Sequence, residues 1–228
     1  MEIQTPFDDL VNKYIMKELD NFLIENSFGN RTSKGYGCFY QKGCDVERLF
    51  LEEYGFRKLE SVAKDSAECK NDEIKQYKLL FEKIQKRWII IKRGGRNKAL
   101  IDKYVKRFNC GSVKDKIKKV EYDTYIDYKD LLGLSTMETW GKENLIKVVN
   151  TVNDFEIKRF KSPIQIKIYN DKTNKILKAY YRAEAIDKNH KIFGSVCKAK
   201  LGEHEEVKVQ LPDEFDFEDF IKFIESNK

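Results

Sequence analysis

Apolar residues recur every three or four positions over residues 6–25, where Phe7, Leu10, Val11, Ile15, Leu19, Phe22 and Leu23 share a face. That spacing predicts an amphipathic helix with Pro6 in its first turn. The period breaks across 26–37, a stretch of three glycines and short polar residues, and 36–40 reads as the start of a strand. Residues 45–63 mix charged positions with Leu49, Phe50, Leu51, Phe56 and Leu59, which predicts a short helix, a bend at Gly55 and a further ordered piece. Helical spacing returns over 71–91 with Tyr77, Leu80, Phe81, Ile84 and Trp88 inward, stops at Gly94-Gly95 and resumes over 99–108. Together these make a basic helical hairpin.

The second half changes period. Residues 155–169, 176–186, 191–200 and 205–211 are strand-like runs, separated by turn signals at 170–174 and 187–189. A last amphipathic helix spans 216–226, with Phe217, Phe220, Ile221 and Ile224 on one side. The predicted class is α+β, with antiparallel strands. No internal repeat, low-complexity tract or proline-rich linker interrupts the chain, so 1–228 reads as one elaborated domain. Its parts are a helix, glycine-rich loop and strand (1–68), a basic helical segment (69–120) and a strand-rich part with a C-terminal helix (121–228).

Composition agrees with a folded chain: 41% hydrophobic and 13% aromatic residues supply a core, although 36% of the residues are charged. The net charge of +6 is unevenly spread. Fourteen Lys or Arg stand against two acids over 83–119, whereas eight acids stand against one lysine over 203–219. A polyanion is therefore drawn to the first stretch and repelled by the second. The five cysteines form no CxxC pair and have two histidines for company, so neither a zinc site nor any other metal site is assigned. No leader-like segment or membrane-length apolar run is present, and reduced thiols in a cytoplasm are the expectation.

The glycine-rich segment Phe28-Gly-Asn-Arg-Thr-Ser-Lys-Gly-Tyr-Gly37 carries the clearest chemistry. Gly29, Gly35 and Gly37 permit positive φ and close approach of a phosphodiester to backbone N–H groups. Arg31 offers a bidentate fork and Lys34 a point charge; Asn30, Thr32 and Ser33 are neutral donors, and Tyr36 has a ring for stacking. The segment lacks the Gly-Lys-Ser/Thr ending of a nucleotide-binding loop and leads toward a strand, so no nucleotide or other cofactor is expected. Lys92, Arg93 and Arg96, beside Gly94 and Gly95, extend the basic track. The competing reading of the loop is a glycine turn with solvated charges, and that of the basic run is a solvated helical face.

Residues 28–39, ending Gly-Tyr-Gly-Cys-Phe, resemble the glycine-rich loop of the RAMP superfamily, the repeat-associated proteins that build CRISPR effector complexes and process CRISPR RNA. Arg159-Phe-Lys-Ser-Pro-Ile-Gln-Ile-Lys167 is similar to the arginine, Ser-Pro and apolar strand found further along in such proteins. The resemblance implies a ferredoxin-like (RRM-like) antiparallel sheet with helices, and a guide RNA held by its sugar-phosphate backbone with Arg159 as a further phosphate contact. It also implies other effector subunits as partners. Family members ordinarily begin with a strand, whereas only Met1 to Pro6 precede the first predicted helix. The expectation is a first unit that is truncated, remodelled or completed by another segment or chain.

Two alternatives stand beside RNA binding. A metal-independent endoribonuclease would use a histidine as general acid or base, and only His190 and His204 exist. A scaffold subunit that kept the fold without RNA binding would pack the loop against its own chain or a partner. Asp213, Glu214, Asp216, Glu218 and Asp219 are read as capping and charging the start of the last helix, and Cys38 as packing.

Overall fold

The computed structural model describes residues 16–28, 35, 37–92, 99–108, 110–134, 137–140, 142–158, 160–184 and 186–227. The chain divides into two compact units, Met1–Ile84 with Gln165–Arg182, and Gln85–Ile164 with Ala183–Lys228. The α+β class with antiparallel sheets follows the sequence reading and is compatible with a ferredoxin-like, RAMP-type fold. No helix among the described residues is long and apolar enough to cross a membrane.

Among the described residues, the first element of the first unit is α1 (Met16–Glu25). Next comes the short helix α2 (Val46–Arg48), whose Asp45 side chain accepts from Arg48 N and which continues as a π-helical turn over Leu49–Glu53. Gly55 then takes φ +64°, the predicted bend, and leads into β1 (Arg57–Ala63). Strand β1 pairs antiparallel with β5 (Ile176–Ala183), which lies beside β4 (Ile164–Asp171), giving the order β1-β5-β4. Ile24, Val46, Leu49, Phe50, Phe56 and Tyr180 form the core, with the Phe50 ring 4.7 Å from Phe56 and 5.0 Å from Tyr180. The long helix α3 (Glu73–Lys92) covers β1 through Gln76, whose Nε2 donates to Val62 O at 2.7 Å.

The second unit holds α4 (Leu100–Val105), α5 (Val113–Ile117) and α6 (Phe217–Ser226) beside a sheet of order β2-β3-β6-β7. Its strands are β2 (Met137–Trp140), β3 (Glu143–Asn150), β6 (Val196–Leu201) and β7 (Val207–Gln210). Helix α6 follows the sequence reading: Asp216 caps it by accepting from Asp219 N at 2.9 Å, while Phe217, Phe220, Ile221 and Ile224 are buried. Tyr104 of α4 packs among Phe108, Phe215, Phe220 and Phe223, and its hydroxyl donates to Asp219 at 2.8 Å.

Several expected strands differ. Residues 38–40 are irregular, because Tyr40 spends its ring on Phe50 and Tyr169, at 5.7 and 6.0 Å, instead of joining a ladder. Over 155–169 a continuous strand begins at Ile164, after Pro163, with only an isolated bridge from Asn150 to Glu156 before it. The run at 191–200 starts late, at Val196, since Gly194 turns at φ +68°. The β2–β3 hairpin was not anticipated at all. Its burial alternates in an unexpected phase, with Leu145, Lys147 and Val149 inside and Ile146 and Val148 outside.

Lys147 is inside because acids meet it there. Its Nζ lies 3.0 Å from both Asp127 Oδ2 and Asp130 Oδ2, and Glu138 is 3.8 Å away. Burial works against the charge on Lys147, but these carboxylates outweigh it and hold the ammonium well above its ordinary range. Burial likewise opposes ionisation of Asp127, yet Lys147 brings it below the usual carboxylate range. Asp130 is raised to about 7 by burial and then by the charge of Asp127. The pair of carboxylates thus shares one ammonium, and Asp130 keeps its proton to higher pH than an ordinary carboxyl.

A folded-state value above the unfolded one means that raising the pH favours unfolding between the two. Relative to Asp130→Asn, the wild type should lose stability by about 1.4 kcal/mol per pH unit over roughly pH 4 to 7, with no further relative change above that window. Urea denaturation of both proteins across that range checks this; parallel profiles would remove the titration from Asp130.

Candidate nucleic-acid interface

In the first unit, the ends of the glycine-rich segment meet strand β4, which carries Gln165 and Lys167 of the second segment. Strand β4 is buried along Ile164, Gln165, Ile166, Lys167 and Ile168, so its polar residues must find partners inside. They find the C-terminal end of α1. Lys167, fully buried, donates from Nζ to Leu23 O at 3.4 Å, Asn26 O at 2.5 Å and Ser27 Oγ at 2.8 Å. Gln165 Nε2 donates to Glu25 O at 2.8 Å, and Gln165 Oε1 accepts from Arg182 Nε at 3.1 Å. The last carbonyls of a helix have no partner within it, and a cation there also complements the dipole. Two residues of one strand therefore terminate α1 and fix where the loop begins.

The other end of the loop is held by glycine geometry. Phe28 N donates to Gly37 O at 2.9 Å, which closes the neck of the segment. Gly35 and Gly37 take φ +87° and +68°, the positive values expected of them. Gly35 is buried against β4, where an added Cβ would lie 2.9 Å from Ile168 Cγ1. At Gly37 an added Cβ would lie 1.7 Å from Phe28 O, inside the backbone itself. Cys38, half-buried, donates to Gly35 O at 3.4 Å and lies 3.8 Å from Ser27 Oγ, the packing role read from sequence. Phe22, Phe28 and Phe39 stand exposed beside the neck, with successive ring centroids 6.0 and 5.8 Å apart.

Gly29, Asn30, Arg31, Ser33, Lys34 and Tyr36 lie outside the described residues, as do Arg93, Arg96 and Arg159. Lys92, at the end of α3 in the second unit, is half-buried and its Nζ donates to Gly133 O. Burial lowers it to about 8. Its neighbourhood is a cavity of about 480 Å³ whose lining includes Asp127, Lys129, Glu138 and Lys147. Lys129 donates to Glu138 there at 2.5 Å, so this lining is a network of internal ion pairs.

The histidines of the nuclease alternative are both in the second unit. His190 Nδ1 accepts from Ile192 N at 3.1 Å in a turn, and its ring lies 5.4 Å from Phe160. His204 is exposed, with Nε2 3.9 Å from Glu143. Asp127, Asp130 and Cys197 place three potential metal-ligating atoms within 4.8 Å of one another. Lys147 already supplies the counter-charge to the two carboxylates, and burial raises the Cys197 thiol far from ionisation, whereas metal ligation needs a thiolate.

Gln165 and Lys167 are the residues that sequence reasoning missed. Polar side chains at 165 and 167 between isoleucines at 164, 166 and 168 read as a solvent-facing row, and only the covering α1 end reverses that.

Two family models match the chain. One, described as the Cmr1 C-terminal domain, covers residues 75–228, and the other, the Cmr1 N-terminal domain, covers residues 1–95. Neither a curated protein nor a solved structure matches it. The chain belongs to the Cmr1 family, a family of type III-B CRISPR RAMP subunits.

Gly37→Ala should destabilise the protein more than Gly35→Ala. Positive φ costs each about 1–2 kcal/mol, but only at Gly37 must a backbone carbonyl move and the neck hydrogen bond break. Urea midpoints of the two variants test the order, and equal losses would contradict the neck geometry.

Proposed function

Starting from membership in the Cmr1 family, we propose that this chain is an RNA-binding subunit of a CRISPR ribonucleoprotein and holds guide RNA by its sugar-phosphate backbone through the glycine-rich loop. The observation that carries the reading is the closed neck. Phe28 and Gly37 are joined through the backbone, and Lys167 and Gly35 tie the neck's two sides to β4. A nine-residue span from Gly29 to Gly37 therefore departs from and returns to a rigid base, and its sequence includes Arg31, Lys34, Asn30 and Ser33. Cations and neutral donors on a short tethered segment suit phosphate oxygens, which every nucleotide presents alike, more than base edges. Gly29, Tyr36, Arg93, Arg96 and Arg159 belong to the same proposal, as further backbone approach, stacking and phosphate contacts. The other subunits of such an effector are its expected protein partners.

Arg31→Ala with Lys34→Ala should weaken single-stranded RNA binding and flatten its salt dependence. The slope of log K against log salt should fall by about 1.4, at roughly 0.7 for each phosphate that the variant no longer neutralises. Fluorescence anisotropy between 50 and 200 mM salt, roughly the range over which such charges are felt, reads both effects. An unchanged slope would remove the loop from the interface.

A further inference from the structure

The second unit turns one face of its sheet to solvent, and the register shows what stands on it. Met137 pairs with Ile146, and Ile146 with Lys200; Val148 pairs with Lys198, and Lys198 with Lys208. Residues paired across antiparallel strands point to the same side, so these six form two adjacent rows. Met137, Ile146 and Val148 are 64%, 56% and 38% exposed, and Lys200 and Lys208 are exposed beside them. Single apolar residues on a surface are ordinary, but a contiguous aliphatic strip bordered by cations is not. Threonine, asparagine, glutamine and valine fill the remaining solvent-side positions of the four strands, with no aromatic ring, and the acid Glu156 stands at the margin, bridged to Asn150. Among the described residues, none of the three ammonium groups has a carboxylate partner.

We infer that this face docks a protein segment of acidic amphipathic character, an interaction separate from RNA binding by the loop. The aliphatic strip calls for aliphatic side chains, since it offers no ring on which a base would stack. Three lysines without an opposing acid call for carboxylates. From β3 to β7 is two strand spacings, about 10 Å, which is the width of one α-helix. A helix laid along β3 and β6 would thus set its apolar side on Ile146 and Val148 and its acidic flank on Lys198, Lys200 and Lys208. A second copy of this chain does not supply that helix. Its own acidic helix, α6, already buries Phe217, Phe220, Ile221 and Ile224 within the second unit.

The test places a photo-crosslinking benzoylphenylalanine at Ile146 of the full chain, expressed in its own cells, with the crosslinked peptide sequenced by mass spectrometry. The expected product is a protein segment with acidic residues flanking aliphatic ones, and its yield should fall roughly tenfold in Lys198→Gln/Lys200→Gln/Lys208→Gln. RNA affinity of that triple variant should equal that of the parent, which separates this surface from the loop. Crosslinking to RNA, to a second copy, to a segment without acids, or to nothing above an unirradiated control would overturn the proposal. So would a yield indifferent to the lysines in a folded variant; the identity of the crosslinked segment decides should that variant not fold.

Discussion

One buried ammonium organises the first unit. Lys167 sits in the middle of a strand with no solvent available, and three oxygens at the end of α1 and the start of the glycine-rich segment surround it. An unpaired charge there would cost several kcal/mol, so the strand and the helix end can be buried only together. Gln165, one pleat away, adds Glu25 O and through Arg182 extends the network to Phe56, whose ring lies 4.7 Å from the guanidinium carbon. The place where helix becomes loop is thereby set by a residue about 140 positions further along the chain.

The second unit repeats the device with different partners. Lys147 is also a strand lysine facing inward, but carboxylates of Asp127 and Asp130 receive it where backbone carbonyls receive Lys167. The consequences differ. Neutral oxygens surround Lys167, whereas Asp127 and Asp130 crowd two carboxylates around Lys147 and cannot both ionise at full strength. Specificity follows in both cases, because a strand slipped by one residue would leave each charge without its partners.

The RNA binding proposed for this Cmr1-family chain rests on a division between a fixed base and a chemically rich span. Strand β4 and the two positive-φ glycines define the base, and in the proposed reading the cations of the span supply the affinity. The open face of the second sheet differs in kind: aliphatic and lysine rows without aromatic rings favour carboxylates and apolar side chains over bases. Separate surfaces of different chemistry suit a subunit that meets RNA and protein at once.

Much of this was legible in the sequence by itself. The 3.6-residue spacing at 71–91 and 216–226, the turn signal at 170–174 and the glycines at 35 and 37 each reflect local chemistry, and α3, α6, the β4–β5 hairpin and the positive φ values follow. The resemblance carried by residues 28–39 and 159–167 also named the superfamily to which both domain matches assign the chain. What only the tertiary structure decided were the inward lysines, the phase of β3 and the irregular path of 38–40. Each depends on a partner distant in sequence: a helix end for Lys167, an acid pair for Lys147, the Phe50 and Tyr169 rings for Tyr40. Alternation of polar and apolar residues says which positions share a side of a strand. Which side is wet depends on what folds over it.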